Sequence, residues 1–236
     1  MLGNIWSAVS SLLYRRQCMA CGEDIDAAHH GICINCRYRI PLTKYWLEED
    51  NPVKELFAGL VPVVHASSMF FFSEGSVWRT LIHRFKYGGR WAIARNMGAW
   101  YGAELRDSAL YDDIDLVVPV PLHPLKRMRR GYNQSYYLAE GIAKALGVEL
   151  CGNAIRRRRN NPSQARRRVS ERWANVDRLF VVRRSDKLRG RHILVVDDVL
   201  TSGATLTSCI STIVEAVPDC RISVATLAVT RRILRE

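Results

Sequence analysis

HILVVDDVLTSGATLTSC, residues 192–209, decides how this chain is read. An apolar, partly β-branched run ends in two adjacent carboxylates, Asp197 and Asp198. A small, hydroxyl-rich turn follows, Thr201-Ser202-Gly203-Ala204-Thr205, and then a helix-like stretch. Carboxylates accept paired hydrogen bonds, so two of them at a strand end can hold the vicinal hydroxyls of a ribose, or water on a divalent metal. The turn offers successive backbone N–H groups at a helix N-terminus, where the dipole and the free donors favour a phosphate. A sugar with its phosphate one carbon off the ring satisfies both halves. The pattern describes a ribose 5-phosphate.

Three other readings compete. An ATPase strand ending in Asp-Asp needs a GxxxxGK[ST] loop, and none occurs in the chain. A response-regulator acid pocket follows the first strand, not a late one. A strand-end acid before a Ser or Thr helix cap is a common structural device. That last reading suits Asp197 alone, but not the whole string with its spacing.

Outward from this stretch, strand and helix patterns alternate. VPVVHASSMFFF (61–72) reads as a strand or hairpin, and SVWRTLIHRFKYGG (76–89) as a helix with Val77, Leu81, Ile82 and Phe85 at helical spacing. IARNMGAWYGAELRD continues as helix, DLVVPVP is a short buried strand, and NQSYYLAEGIAKALG is an amphipathic helix stopped by Gly147. RLFVV, HILVVDD, a helix from Ala204 to Val217 and RISVATLAV complete the set. Continuous apolar strands separated by helices predict an α/β fold with a parallel sheet covered on both faces. Ligands of such sheets bind beyond the carboxyl ends of the strands, which is where Asp197 and Asp198 fall.

The N-terminal part differs. CMACGEDIDAAHHGICINC holds Cys18-x2-Cys21 and Cys33-x2-Cys36, separated by eleven residues. Two such pairs deliver four thiolates to one tetrahedral centre, the arrangement of closed structural zinc sites. His29 and His30 read as loop residues, and with no ligand position open the site is structural rather than catalytic. Paired disulfides do not suit a reducing compartment. Cys151, Cys209 and Cys220 are scattered and read as ordinary positions. Residues 1–45 are thus predicted to form an amphipathic helix (Ile5, Val9, Leu12, Leu13) and a zinc knuckle, 46–59 a linker, and 60–236 the sheet domain. MLGNIWSAVSSLLYRR lacks the leading basic residue and cleavage site of a signal peptide, and no apolar run approaches the roughly 20 residues of a membrane span. A cytoplasmic location is expected.

The 236 residues carry 35 Lys and Arg against 23 Asp and Glu, a net charge of +12, which favours polyanionic partners. The excess is clustered. Residues 156–173 hold eight arginines, among them Arg166, Arg167, Arg168 and Arg172, against one acid, Glu171. Lys126, Arg127, Arg129 and Arg130 form a second group before Gly131. Tyr132 and Trp173, beside these groups, could stack on bases, although core packing is the commoner role for each.

VVDDVLTSGAT (195–205) resembles the phosphoribosyl-pyrophosphate signature of type I phosphoribosyltransferases. The four-cysteine knuckle, FKYGGR (85–90), VVPVPLHPLKRMRRGYNQS (117–135), Gln164, Arg172, Asn175 and Phe180 resemble, in order, the ComF/GntX family of competence-associated proteins. The resemblance implies a type I phosphoribosyltransferase-like sheet with an N-terminal zinc knuckle. It implies that Asp197 and Asp198 bind the ribose hydroxyls with Mg2+ nearby, and that Thr201, Ser202, Gly203, Ala204 and Thr205 hold the 5-phosphate. Pro119, Val120, Pro121, Leu122 and His123 then match the pyrophosphate loop, with Lys86, Arg127 and Arg130 as candidates for diphosphate charge. The arginine-rich segment after Ile155 matches a loop that closes over the site. Two departures bear on catalysis: Thr201 stands where purine-salvage relatives carry an Asp that assists the base, and 164–168 reads Gln-Ala-Arg-Arg-Arg where the family has a smaller, more apolar run.

Two function classes stay open. One is transfer of a phosphoribosyl group from phosphoribosyl pyrophosphate to an unidentified acceptor. The other is a non-catalytic competence factor that keeps the ribose-phosphate pocket and grips single-stranded DNA through Arg166, Arg167, Arg168 and Arg172. Contact with other DNA-uptake proteins is implied in either case.

Overall fold

The computed structural model describes residues 17–25, 31–73, 75–158 and 179–234. The expected N-terminal helix, His29 and His30, and Gln164, Arg166, Arg167, Arg168, Arg172, Trp173 and Asn175 lie outside the described residues. Five strands form one all-parallel sheet: β1 (Ala66–Phe72), β2 (Leu116–Pro119), β3 (Glu149–Leu150), β6 (His192–Leu200) and β7 (Arg221–Thr230), in the spatial order β1-β7-β6-β2-β3. The strand expected at RLFVV joins a different ladder. β4 (Ile155–Arg157) and β5 (Phe180–Val182) pair antiparallel with each other, apart from the main sheet, at the base of the arginine-rich segment.

Helices cover both faces, as the apolar strands require. On one lie α3 (Val77–Tyr87), α4 (Trp91–Arg106) and α6 (Gln134–Leu146), packed on Leu194, Val196, Ala225 and Leu227. On the other lies α8 (Ala204–Ala216), whose Leu206, Cys209, Ile210 and Ile213 meet Ile193, Val195 and Val224. Alternation along β6 therefore splits its apolar residues between the two layers. α4 and α6 approach closely because glycines face each other: a Cβ on Gly98 would lie 2.1 Å from Leu138 O, and one on Gly141 2.1 Å from Arg95 O. Asn133 caps α6 by accepting from Ser135 N, and Gly147, at φ +75, ends it.

The four-cysteine region shares the core of the first layer. Cys18, Cys33 and Cys36 are buried with Trp46, Trp78 and Tyr101, and α1 (Ile34–Arg39) starts from Cys33. Arg84 of α3 donates Nη1 to the carbonyls of Cys18 (3.2 Å) and Met19 (2.8 Å), tying the cysteine loop to the sheet domain. Residues 46–59, read from the sequence as linker, are packed: Trp46, Val53 and Phe57 are buried, and Asn51 both caps α2 (Pro52–Glu55) and donates to Ala66 O at 3.0 Å. Just before them, Thr43 N donates to Met69 O and Phe71 N to Pro41 O, so 41–43 covers the outer edge of β1. Among the described residues no helix is long and apolar enough to cross a membrane.

Candidate functional site

The sheet changes direction between β2 and β6. From β2 the chain moves outward to β3, and from β6 it moves the opposite way to β7, which makes the carboxyl end of this strand pair the switch-point crevice. β2 stops at Pro119, opposite Val196, whereas β6 runs on to Leu200 along β7. Asp197 and Asp198 therefore lie inside β6 but beyond the end of β2. Their side chains leave successive positions of the strand, toward different partners.

Asp197 Oδ1 accepts from Ser135 Oγ at 2.8 Å and from the Asp198 backbone N at 2.8 Å. Burial pushes its carboxyl up to about 7, and the neighbouring Asp198 charge adds to the rise against Ser135, the Asp198 N–H and Lys86. Asp198 is 6% exposed, and its Oδ2 lies 3.0 Å from Lys86 Nζ. That contact is ionic: the ammonium is close, but Oδ2 takes no aligned hydrogen bond. On the Asp197 side stands Arg157 of β4, its guanidinium over the Phe180 ring at 5.4 Å and its Nε buried without a hydrogen-bond partner. Burial lowers the Arg157 pKa, and the Asp197 charge opposes that change.

The small-residue turn closes one side of a shallow, open cleft lined by Asp197, Thr201, Ser202, Gly203 and Thr205 above apolar Val199, Leu200 and Leu206. Gly203, at φ +70, caps α8 in a conformation that only glycine adopts readily. The first N–H groups of α8 have no partner within the helix and face the same end. The cleft thus brings Asp197 together with four of the five turn residues. Asp198 and Ala204 are outside its lining, Asp198 because it turns to Lys86.

Pro119, Val120, Pro121, Leu122 and His123 leave β2 at the crevice. Val120 N still donates to Val196 O at 2.8 Å. His123 is buried, and its Nδ1 accepts from Leu125 N at 3.2 Å, capping α5 (Pro124–Arg130). Lys126, Arg127 and Arg129 are exposed on that helix, whereas Arg130 is held, with Nη1 on Gln134 Oε1 (3.1 Å) and Nη2 on Tyr87 OH (2.9 Å). Tyr132 is core: it is buried and donates its hydroxyl to Phe85 O.

At the N-terminal region the sulfurs of Cys18, Cys21, Cys33 and Cys36 lie within 4.8 Å of one another, with Cys21 Sγ 3.7 Å from Cys33 Sγ. A tetrahedral zinc with Zn–S bonds of about 2.3 Å spaces its sulfurs by about 3.8 Å. The cluster suits a metal such as zinc. At the opposite end of the sheet, His192 joins Asp113 Oδ1 (2.7 Å) to Ser223 Oγ (2.8 Å) in an order that resembles a hydrolase triad. Ser223 is fully buried and takes the His65 N–H, so this is a structural tie.

Residues 133–235 match the model of the phosphoribosyl transferase domain family. The chain is 25% identical over 207 residues to competence protein F of Haemophilus influenzae, covering 80% of this chain and 87% of that one. It is 26% identical over 207 residues to competence protein ComFC of Streptococcus pneumoniae, covering 84% and 83%. These matches support a likeness to ComF-family, phosphoribosyltransferase-like proteins. A shorter match, 30% over 129 residues, links it to DNA utilization protein YhgH of Escherichia coli K12, of whose length the chain spans 56%. A solved allosteric regulatory enzyme of purine biosynthesis aligns over 61% of this chain and 30% of that one, at 18% identity and a TM-score of 0.41.

Three residues around this cleft were not singled out from the sequence. Ser135 is an ordinary helix-start serine until the fold sets it against Asp197. Asn133 both caps α6 and donates Nδ2 to Val120 O at 3.1 Å, tying the loop after β2 to the helix. An Asn before an amphipathic run is a recognisable cap, so this one was legible. Arg157 was hidden among its neighbours: only its partial burial separates it from the exposed Arg156 and Arg158.

Proposed function

We propose that this protein binds phosphoribosyl pyrophosphate, or a ribose 5-phosphate, in the cleft between Asp197 and the 201–205 turn, and that it acts in DNA uptake in the cytoplasm. One observation carries the reading: a carboxylate and the start of a helix line the same cleft, at the switch point of a parallel sheet. Asp197 and Asp198 take the ribose hydroxyls. The turn's amides and hydroxyls take the 5-phosphate. The loop from Pro119 to His123, with Lys86, Arg127 and Arg130 near it, faces the diphosphate. The two carboxylates also fit Mg2+, a hard cation that prefers oxygen ligands, and Asp198 Oδ2 has no hydrogen bond to lose. Bound Mg2+ would neutralise diphosphate charge as the leaving group departs. The four cysteines hold a structural zinc.

Calorimetry with phosphoribosyl pyrophosphate, with and without Mg2+, tests this directly. Mg2+-dependent binding is expected in the wild type and its loss in the Asp197→Asn, Asp198→Asn double variant. Equal affinity in the two proteins would remove the ribose site. Transfer to an acceptor is read separately, by turnover with purine, pyrimidine and amine acceptors.

A second reading, single-stranded DNA binding, is favoured by the exposed Lys126, Arg127 and Arg129 on the helix that follows β2 and by the names of the relatives. Under it, neutralising Arg166, Arg167 and Arg168 lowers affinity for single strands and reduces the salt slope by about 2, at roughly 0.7 per lost phosphate contact. An unchanged slope would count against that surface.

A further inference from the structure

Lys86 is placed unusually for a residue expected to meet diphosphate. It lies in the last turn of α3, yet its ammonium is 3.0 Å from Asp198 Oδ2, inside the acid pair. The side chain is 21% exposed and that of Asp198 only 8%, so the pair is shielded and its partner cannot turn to water without moving. The residues on either side of Lys86 are anchored, one by its backbone and one by its side chain. Phe85 O accepts from Tyr132 OH, and Tyr87 OH accepts from Arg130 Nη2 at 2.9 Å. Both anchors come from the segment that follows β2, which the ribose-phosphate reading assigns to the diphosphate end. The side chain of Lys86 is therefore the movable part, on a stem pinned between the acids and that segment.

A nearly buried carboxylate needs a compensating charge. A bound ribose hydroxyl or divalent cation needs the same oxygens. Lys86 and the ligand therefore compete for Asp198, and a displaced ammonium needs an anion within reach. Phosphoribosyl pyrophosphate supplies one, whereas ribose 5-phosphate has nothing at that end. We propose that Lys86 is the resident counter-ion of Asp198, displaced when the pentose binds and transferred to the diphosphate of the incoming donor. It acts as a selectivity device: a ligand with a diphosphate recovers the ion pair that binding breaks, and a ligand without one does not. The inference rests on the ribose-phosphate reading of the cleft.

The test compares two ligands in two full-length proteins, wild type and Lys86→Gln, by calorimetry. Lys86→Gln is expected to bind ribose 5-phosphate more tightly, because the competitor has gone, and to lose about tenfold of the preference for phosphoribosyl pyrophosphate over it, the worth of one charge-assisted contact. Lys86→Arg is expected to recover part of that preference. A merely structural pair predicts that Lys86→Gln weakens both ligands alike, and that result would overturn the proposal.

Mn2+ alone, followed by its paramagnetic effect on solvent relaxation, separates this claim from the one beneath it. If the wild type binds neither sugar phosphate, the ribose reading fails. The counter-ion claim then stands only if Lys86→Gln binds Mn2+ more tightly than wild type, and falls if it does not. Should Lys86→Gln not fold, the side-chain ammonium signal of Lys86 in 15N-lysine wild type, identified by its absence from Lys86→Arg, must shift when the donor is added with Mg2+. A signal that stays in place sinks the exchange.

Discussion

Ser135 Oγ donates to Asp197 Oδ1 at 2.8 Å, so the first turn of one helix holds the acid at the end of a strand 62 residues away in sequence. The oxygen has one other donor, the Asp198 N–H. Ser135→Ala leaves a largely enclosed carboxylate with half its support. Stability at pH 8 should fall by about 1–3 kcal/mol, measured by urea unfolding, and donor affinity should fall with it. Ser135→Thr keeps the hydroxyl and should lose less of both. A neutral effect of the alanine on both would mean that the bond does not hold the acid.

The same acid sets a pH dependence. Burial, with Asp198 beside it, lifts the Asp197 carboxyl up to about 7, whereas an unfolded chain titrates it near 3.9. Between these values the folded protein keeps a proton that the unfolded chain has released, so stability falls as pH rises from about 4 to about 7. Asp197→Asn removes this contribution. The variant should show a flatter stability profile over that window and a higher Tm than wild type at pH 8, while losing the ligand. Parallel profiles for the two proteins, from thermal unfolding at stepped pH, would refute the assignment.

Gly141 tests the seat of the site. An added Cβ would meet Arg95 O at 2.1 Å and Ala99 N at 2.6 Å, both backbone atoms of α4. The helices must separate to accept it, so Gly141→Ala should cost about 3 kcal/mol or more. Gly147→Ala is the control: it has φ +75 and open space around the Cβ, so it should cost about 1–2 kcal/mol from the left-handed backbone alone. Denaturant midpoints that rank the two variants the other way would contradict the packing.

The cysteine cluster predicts one zinc per chain by elemental analysis. Cys33→Ser with Cys36→Ser should abolish it and lower Tm by several degrees, because Cys18, Cys33 and Cys36 belong to the core beneath α3 and α4. Hydrogen exchange should speed up in 17–25 and 31–42 and at the α3 end that Arg84 ties to Cys18. Protection unchanged by a strong chelator would show that the cysteines hold the fold without metal.

Much of this molecule could be read before it was folded. The parallel sheet followed from strands with near-continuous apolar runs, because only a sheet covered on both faces buries them. The four-cysteine cluster followed from doubled Cys-x2-Cys spacing, and the meeting of Asp197 with the small-residue turn from their closeness in sequence, since each pattern is local and carries its own geometry. RLFVV was misassigned to the main sheet because a short apolar run states that a strand exists and not which partner it takes.

Tertiary structure alone decided the rest. That Asp197 lines the cleft while Asp198 turns to Lys86 depends on where β2 stops, and on which helices cover the two layers. The partners of these two acids, Ser135, Lys86 and Arg157, come from three separate elements that no sequence period connects. Pairing between distant charges depends on burial and distance, and both exist only once the chain is packed.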